Sequence, residues 1–157
     1  MNICMPNTYS QLYVQIVFAV KGRQNFITNN IREETQKYIS DIIAKKKQKL
    51  YAIYCMPDHT HLLVSMKPDV AVSDFTGIIK ANSSAWIKNR FHSLSAFEWQ
   101  DGFGAFSYSK SQSQRVVNYI LNQQEHHRKK TFREEYIDFL NAFEIEFDNR
   151  YLFEFYD

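Results

Sequence analysis

The sequence is poor in cysteine, and the two cysteines that it contains are isolated. Cys4 and Cys55 lie far apart in the chain, and neither belongs to a CxxC pair. A dense disulfide framework, of the kind that holds small secreted proteins together, is therefore excluded. We expect both thiols to be reduced and the protein to be cytoplasmic.

Long apolar runs are also missing. No uninterrupted run approaches the ~18 residues that a membrane-spanning helix needs. The opening segment, MNICMPNTYS, lacks the basic and then apolar stretches of a signal peptide. Repeats, low-complexity segments and clear linkers are absent as well. The 157 residues suit one domain, spanning residues 1–157, and we expect no membrane partner.

The sequence is rich in aromatic residues, and its charges are unevenly distributed. Aromatic residues make up 16% of the chain, enough to fill a core and to leave some rings for stacking on nucleic-acid bases. Residues 132–157 hold two basic and eight acidic residues, whereas residues 1–131 hold 17 basic and nine acidic ones. The basic body favours a phosphate-bearing partner, although a solvated surface explains the same charges. The acidic tail, residues 132–157, is expected to pack on the domain.

Apolar periodicity predicts the secondary structure. Alternating residues indicate strands, and spacings near 3.6 residues indicate amphipathic helices. The predicted strands are 9–20, 49–56, 59–65 and 105–109. Four helices are predicted: one after Thr28, one after Ser73, one from Ser111 or Ser113 to about Lys130, and one over 132–143. The βαββαβ order of the first six elements predicts a ferredoxin-like α+β fold with helices on one face of an antiparallel sheet. The first and third strands are its central strands, and its other face is expected to be uncovered.

One stretch, MPDHTHLLV at 56–64, places two histidines two residues apart on a predicted strand. Residues i and i+2 of a strand point to the same face, so His59 and His61 would lie side by side on the uncovered face. Two imidazoles with open coordination positions suit a divalent metal that also contacts substrate. Solvent-facing or hydrogen-bonded histidines are the alternative, because a two-residue motif recurs by chance.

A tyrosine on the third predicted helix is the best-placed nucleophile for a phosphodiester near such a metal. Tyr119 and Gln123 are four residues apart, so they would lie one turn apart on one helix face. The phenol, with an ordinary pKa near ~10, needs activation that a metal could supply. The side-chain oxygen of Gln123 could bind the same metal, although most tyrosines are core or surface residues. His126 and His127 are interpreted as the polar end of the helix rather than as phosphate ligands.

Three ordered motifs resemble one family of proteins. They are MPDHTHLLV at 56–64, DGFGAFSYS at 101–109 and VVNYILNQQEHH at 116–127, and HHRKKTFREEY at 126–136 also looks like the family's next helix. On these residues the chain resembles, over nearly its whole length, the single-tyrosine HUH transposases of the IS-two-hundred type of bacterial insertion sequences. HUH denotes histidine, hydrophobic residue, histidine. Here Thr60 occupies the middle position, which points off the metal face.

The resemblance implies a ferredoxin-like nuclease domain with a defined chemistry. The family's histidine pair, matching His59 and His61, binds Mg²⁺ or Mn²⁺, and the residue matching Gln123 completes the metal site. The family's tyrosine, matching Tyr119, attacks single-stranded DNA and forms a 5′-phosphotyrosine. The family recognises DNA hairpins at the ends of the element and works as a homodimer.

Basic residues at predicted turns and helix ends are candidate DNA contacts. They are Lys21, Arg23, Lys45, Lys46, Lys47 and Lys49. Two other functions fit the same patterns. One is a non-catalytic module that binds single-stranded nucleic acid, and the other is a domesticated relative that cuts chromosomal repeats without moving its own gene.

Overall fold

A four-stranded antiparallel sheet lies at the centre of the structure, which is a computed structural model. The structure describes residues 7–22 and 26–155. The strands are β1 (Tyr13–Ala19), β2 (Lys49–Cys55), β3 (His59–Ser65) and β4 (Gly104–Tyr108). They lie in the order β2-β3-β1-β4, so β1 and β3 are central, as the sequence predicts. In the register of these two strands, Ala19 pairs with His59 and Val17 pairs with His61.

Five helices pack around the sheet in the described parts of the chain. They are α1 (Asn29–Lys45), α2 (Val72–Arg90), α3 (Lys110–Leu121), the single turn α4 (Gln123–His126) and α5 (Phe132–Ala142). Short 3₁₀ turns occur at His92–Leu94 and Asn149–Tyr151. None of the helices in the described ranges is long and apolar enough to cross a membrane.

Two helices cover one face of the sheet. Alternate residues of the central strands, such as Phe18 and Leu62, point into a core that α1 and α2 close, because successive strand residues face opposite sides. The helices contribute apolar residues at spacings of three and four. The buried apolar members are Ile31, Ile39, Ile42 and Ile43 on α1, and Phe75, Ile79 and Ile87 on α2. The predicted ferredoxin-like α+β fold is confirmed.

The opposite face of the sheet is also covered, so the prediction of an uncovered histidine face is wrong. Over β2 and β3, Val116 and Ile120 of α3 pack on Leu63. Over β1 and β4, α5 and the segment that follows it pack on Val17 and Phe106. The central strands β1 and β3 are buried on both faces, and burying apolar surface is the main favourable term in folding. The covering residues from the C-terminal part are Phe132, Tyr136, Leu140 and Phe153.

The third predicted helix is two helices, and the break redirects the chain after Tyr119. α3 ends at Leu121, and Asn122 has φ −99° and ψ 20°. The short α4 then brings the chain back, so that His127 contacts His59 on β3. The prediction of one helix as far as about residue 130 is therefore wrong.

Two helix starts also differ from the prediction. α3 begins after Ser109, which forms a capping box, rather than after Ser111 or Ser113. In a capping box the side chains satisfy backbone amides that have no partner within the helix, so the first suitable serine sets the start. α2 begins at Val72, just before the predicted cap Ser73.

Candidate metal and nucleophile site

The two histidines of β3 lie side by side and point to the same face of the sheet, as predicted. Their ring centroids are 5.1 Å apart. Both side chains are buried, with 1% of His59 and none of His61 exposed. Protein neighbours therefore set the orientation of each ring.

Each histidine is held through its Nδ1 atom, so both Nε2 atoms face the same interior cluster. His59 Nδ1 lies 2.7 Å from Asp58 Oδ1, and the ring of Phe132 stacks on the His59 ring at 3.9 Å between centroids. His61 Nδ1 lies 3.0 Å from the side-chain nitrogen of Gln15. Hydrogen bonds to one ring nitrogen orient the other toward its partner, as they do in metal-binding histidines.

Two residues from the C-terminal part of the chain complete a cluster of ligand-type atoms. His127 Nε2 lies 3.1 Å from His59 Nε2, and Glu135 Oε1 lies 2.8 Å from His61 Nε2. One ligand atom from each of these four residues lies within 4.8 Å of the other three. Three imidazole nitrogens and one carboxylate oxygen at this spacing fit a divalent transition metal, whose bonds to such atoms are about 2.0–2.2 Å long.

The electrostatics of the cluster centre on the Glu135 carboxylate. Burial alone would raise the pKa of this carboxyl, but the charge of His61 and hydrogen bonds from His127 and His61 hold the pKa well below its usual range. Burial lowers the pKa of His59, despite its contact with Asp58. Burial would also lower the pKa of His127, but the hydrogen bond and charge of Glu135 outweigh it and raise that pKa. Glu135 is therefore an ionised carboxylate among imidazoles.

Tyr119 joins the same cluster from α3. Its hydroxyl donates a hydrogen bond to Glu135 Oε2 and lies 3.1 Å from His126 Nε2. Its ring centroid is 6.0 Å from that of His61. Burial, together with the negative charge of Glu135, raises the pKa of Tyr119 well above its ordinary value. One carboxylate therefore contacts both the candidate nucleophile and the strand histidines.

A cavity of about 250 Å³ lies beside the Tyr119 side chain. Lys130 and Asp138 form an ion pair at this cavity. The lining residues are Tyr119, His126, Lys130, Glu135, Asp138, Phe139 and Ala142. The phenol therefore lies in the wall of this cavity.

Gln123 lies next to the cluster, at the start of α4. Its side chain is fully buried. Its Oε1 atom lies 2.9 Å from His127 Nε2, and its amide nitrogen lies 3.4 Å from the backbone oxygen of Tyr119. The amide is close to both halves of the site, although α3 ends between Tyr119 and Gln123. Its role as a metal ligand stays a prediction.

Sequence reasoning missed Glu135, and it assigned His127 to a polar helix end. The side chain of His127 is only 11% exposed. A signal for Glu135 was present, because it lies between Phe132 and Phe139 at helical spacing, on the apolar stripe of α5. A carboxylate on a buried stripe indicates a charged or hydrogen-bonding partner elsewhere in the fold.

The structure separates the predicted DNA contacts into two regions. The lysine cluster consists of Lys45, Lys46, Lys47 and Lys49. Lys49 pairs with Ser65, at the end of β3 that is distant from His59. Across the seven residues of β3, the two ends are roughly 20 Å apart. Lys21 lies at the histidine end, with 65% of its side chain exposed, and Arg23 lies outside the described residues.

The fold and the site together define a class of protein, in which two histidines on a central strand of a ferredoxin-like sheet meet a tyrosine from a helix. Comparison with known families agrees, because the family model described as transposase IS200 like matches residues 8–123. The chain belongs to this family of IS200-like transposases, as its motifs predict. The matched segment ends at Gln123, so His127 and Glu135 lie beyond it.

Known transposases are similar to this chain. The ISDra2 transposase TnpA of Deinococcus radiodurans is 25% identical over 118 residues, which cover 72% of this chain and 84% of that protein. The transposase for insertion sequence element IS200 of Salmonella typhimurium is 27% identical over 116 residues, which cover 70% of this chain and 75% of that protein. The similarity therefore extends over most of each relative.

Solved structures share the fold. A protein of Deinococcus radiodurans R1 assigned as a transposase has a TM-score of 0.63 at 22% identity, covering 74% of this chain and 94% of that one. A REP-associated tyrosine transposase bound to a REP hairpin has a TM-score of 0.59 at 15% identity, covering 76% of this chain and 71% of that one. At these identities the similarity shows the fold alone.

Proposed function

We propose that this transposase cleaves and rejoins single-stranded DNA with a divalent metal, through a covalent bond between the DNA and Tyr119. The observation that carries the proposal is that one buried carboxylate, Glu135, contacts both the Tyr119 hydroxyl and the strand histidine His61. The candidate nucleophile and the candidate metal ligands thus lie in one cluster. The family assignment supports the proposal, because moving a DNA segment requires phosphodiesters to be broken and joined.

The metal in this proposal is Mg²⁺ or Mn²⁺, which His59, His61 and the amide oxygen of Gln123 would hold. The Nε2 atoms of both histidines face one interior cluster, and the amide oxygen of Gln123 lies 2.9 Å from His127. A bound divalent ion would stabilise the negative charge that develops on the phosphate. In this proposal Glu135 orients the phenol of Tyr119, and the basic residues orient the DNA.

In the proposed cleavage step, the phenol oxygen of Tyr119 attacks a phosphorus atom of the DNA backbone. A bond forms between this oxygen and phosphorus, and the bond from phosphorus to the 3′ oxygen breaks. The phenol loses a proton and the leaving oxygen gains one, which gives a 5′-phosphotyrosine and a free 3′-hydroxyl. Rejoining reverses the step with another 3′-hydroxyl, so no nucleotide cofactor is required.

We further propose that the substrate is hairpin DNA at the ends of the element. The structural neighbour bound to a REP hairpin supports this substrate class. Backbone contacts would come from the lysine cluster, Lys21 and Arg23, because lysine and arginine bind phosphates without reading sequence. In this proposal residues 1–157 act as one domain with the acidic tail, 132–157, packed on it.

The working form in this proposal is a homodimer. β2 and β4 are the two edge strands of the sheet. An unpaired edge can add a strand from a second copy, and symmetric pairs are the commonest assemblies. Light scattering of the protein in solution would test this state, and a monomer at assay concentration would contradict it.

The test of the chemistry is a denaturing gel with labelled single-stranded DNA from the element's own end. With Mn²⁺ the wild-type protein should form a shifted covalent band, which EDTA abolishes. Tyr119→Phe removes only the phenol oxygen, so this variant should fold and bind the hairpin but form no band. Tyr38→Phe, on α1 behind the sheet, is the matched control and should react like wild type. A covalent band from Tyr119→Phe would refute the assignment of the nucleophile.

A further inference from the structure

We propose that Glu135 is a ligand of the divalent metal and also positions the nucleophile, so that one carboxylate joins the two halves of the site. The inference rests on the proposed function, because it takes the metal to lie at the histidine pair and the nucleophile to be Tyr119. Glu135 belongs neither to the histidine pair nor to the family-matched segment, residues 8–123.

The two oxygens of Glu135 face different partners. Oε1 lies 2.8 Å from His61 Nε2 and 3.8 Å from His59 Nε2. Neighbouring ligands on an ion with bonds of about 2.0–2.2 Å are roughly 3–3.6 Å apart, so these separations are close to those of a shared ion. Oε2 accepts the hydrogen bond of Tyr119 and lies 3.5 Å from His127 Nε2. The carboxylate therefore spans from the histidine pair to the phenol.

A role in packing alone does not account for a carboxylate at this position. Glu135 is 2% exposed, and burying a charge is costly unless its partners offset the loss of hydration. An apolar residue would pack between Phe132 and Phe139, and a glutamine would form hydrogen bonds without a charge. The partners of Glu135 are instead imidazole nitrogens and a phenol, which are the groups of a metal site and a nucleophile.

The helix that carries Glu135 is fixed on both sides of it. Thr131 and Glu134 form a capping box at the start of α5. The Phe132 ring stacks on His59, and Tyr136 packs closely against Gly104 of β4. Because these contacts bracket Glu135 within one turn of helix, its carboxylate is held at the histidines.

The donor set also indicates which metal the site prefers. His59, His61 and His127 offer nitrogen, and Glu135 offers oxygen. Imidazole is a common ligand of first-row transition ions, the series to which Mn²⁺ belongs, whereas Mg²⁺ prefers oxygen ligands and retains its water. We therefore expect Mn²⁺ to bind more tightly than Mg²⁺ by about tenfold or more.

The test measures the binding of Mn²⁺ alone, without DNA, from the electron paramagnetic resonance signal of the free ion. Glu135→Gln keeps the size of the side chain and removes its charge, so the Kd for Mn²⁺ should rise by at least about tenfold. Glu146→Gln changes an exposed glutamate of the tail and is the matched control, with unchanged Mn²⁺ binding expected.

A second readout tests the link between the metal and the phenol. Mn²⁺ binding should change the ultraviolet absorption of Tyr119, giving a tyrosine difference spectrum that Tyr119→Phe lacks. Glu135→Gln saturated with Mn²⁺ should lack this spectrum too. Circular dichroism of metal-free Glu135→Gln checks that this variant folds. If Glu135→Gln does not fold, Glu135→Asp replaces it in both assays, because the shorter aspartate side chain cannot span both partners.

Two results would overturn the inference. One is Mn²⁺ binding to Glu135→Gln that equals wild-type binding, and the other is a tyrosine difference spectrum that persists in that variant. Neither result affects the proposed function, which depends on the covalent band from Tyr119. A covalent band from Tyr119→Phe, in turn, would refute the assignment of Tyr119 as the nucleophile. Weakened Mn²⁺ binding to Glu135→Gln would in that case still support Glu135 as a metal ligand.

Discussion

Replacing Gly104 with alanine should destabilise the protein and disturb the candidate site together. Gly104 is the first residue of β4 and pairs with Val17 of β1. A Cβ atom at this position would lie 2.8 Å from the hydroxyl oxygen of Tyr136 and 2.9 Å from its Cε2 atom. Tyr136 follows Glu135 on α5 and its ring is buried, so we expect a displacement of the ring to shift the helix and the carboxylate.

The expected magnitude follows from the closeness of these contacts. Carbon atoms pack best at about 3.5–4.0 Å, so the added methyl group cannot be accommodated without a shift. Overpacking of this kind costs about 1–3 kcal/mol. In a chain of this length 1 kcal/mol lowers the Tm by roughly 2–4 °C, so Gly104→Ala should melt roughly 2–12 °C below wild type. Mn²⁺ binding should weaken as well, because Glu135 moves with the helix.

Gly77→Ala is the matched control for this substitution. Gly77 lies within α2, and a Cβ atom there would meet no atom within 4 Å. Alanine in a helix interior is more stable than glycine by roughly 0.5–1 kcal/mol, so this variant should melt above wild type. Thermal and urea unfolding of both variants, beside wild type, provide the comparison. If Gly104→Ala melts at the wild-type temperature, the close contact between α5 and β4 does not hold the helix, and the reasoning fails.

Two further predictions concern buried titratable groups. Burial raises the pKa of the Cys55 thiol to about 12, so in a Cys4→Ser background the folded protein should not react with DTNB at about pH 8 until urea unfolds it, and rapid reaction of the native protein would contradict this. Burial also raises the pKa of Tyr136 to about 12. The folded state therefore binds the phenol proton more tightly than the unfolded state, so this contribution to stability is complete below about pH 10 and falls as the pH rises toward 12. The urea midpoint should fall more steeply with pH between about pH 8 and 11 for wild type than for Tyr136→Phe. Parallel curves for the two proteins would contradict this contribution of Tyr136 to stability.

Local patterns account for the parts of the fold and site that could be predicted from the sequence. The spacing of His59 and His61 decides that they share a face, because the geometry of a strand repeats every two residues. The βαββαβ order of the first six elements predicts the antiparallel sheet, because this order is typical of the ferredoxin-like fold. The motif around Tyr119 predicts that this residue is the nucleophile, and the structure places its ring centroid 6.0 Å from that of His61. Its role as nucleophile stays a prediction.

The features that could not be predicted depend on contacts across the fold. Glu135 is 74 residues from His61 in the chain, and no spacing rule connects a helix to a strand over that distance. Their contact depends on how α5 docks, which the packing of Phe132 and Tyr136 determines. The error about the uncovered face has the same origin, because the βαββαβ order does not say where a later helix packs. The break between α3 and α4 at Asn122, which brings His127 to the site, likewise leaves no signal in the helical spacing of the sequence.

The inward face of α5 constrains how this sequence can evolve. Phe132 stacks on His59, Glu135 contacts Tyr119, and the Phe139 ring lies 6.1 Å from that of His61. In most domains core positions drift among apolar residues of similar size, while site positions stay fixed. On α5 the core and the candidate site share one face of one helix, so a substitution that packing tolerates still changes the surroundings of the candidate site. Neutral drift on this helix is therefore confined to its outer surface.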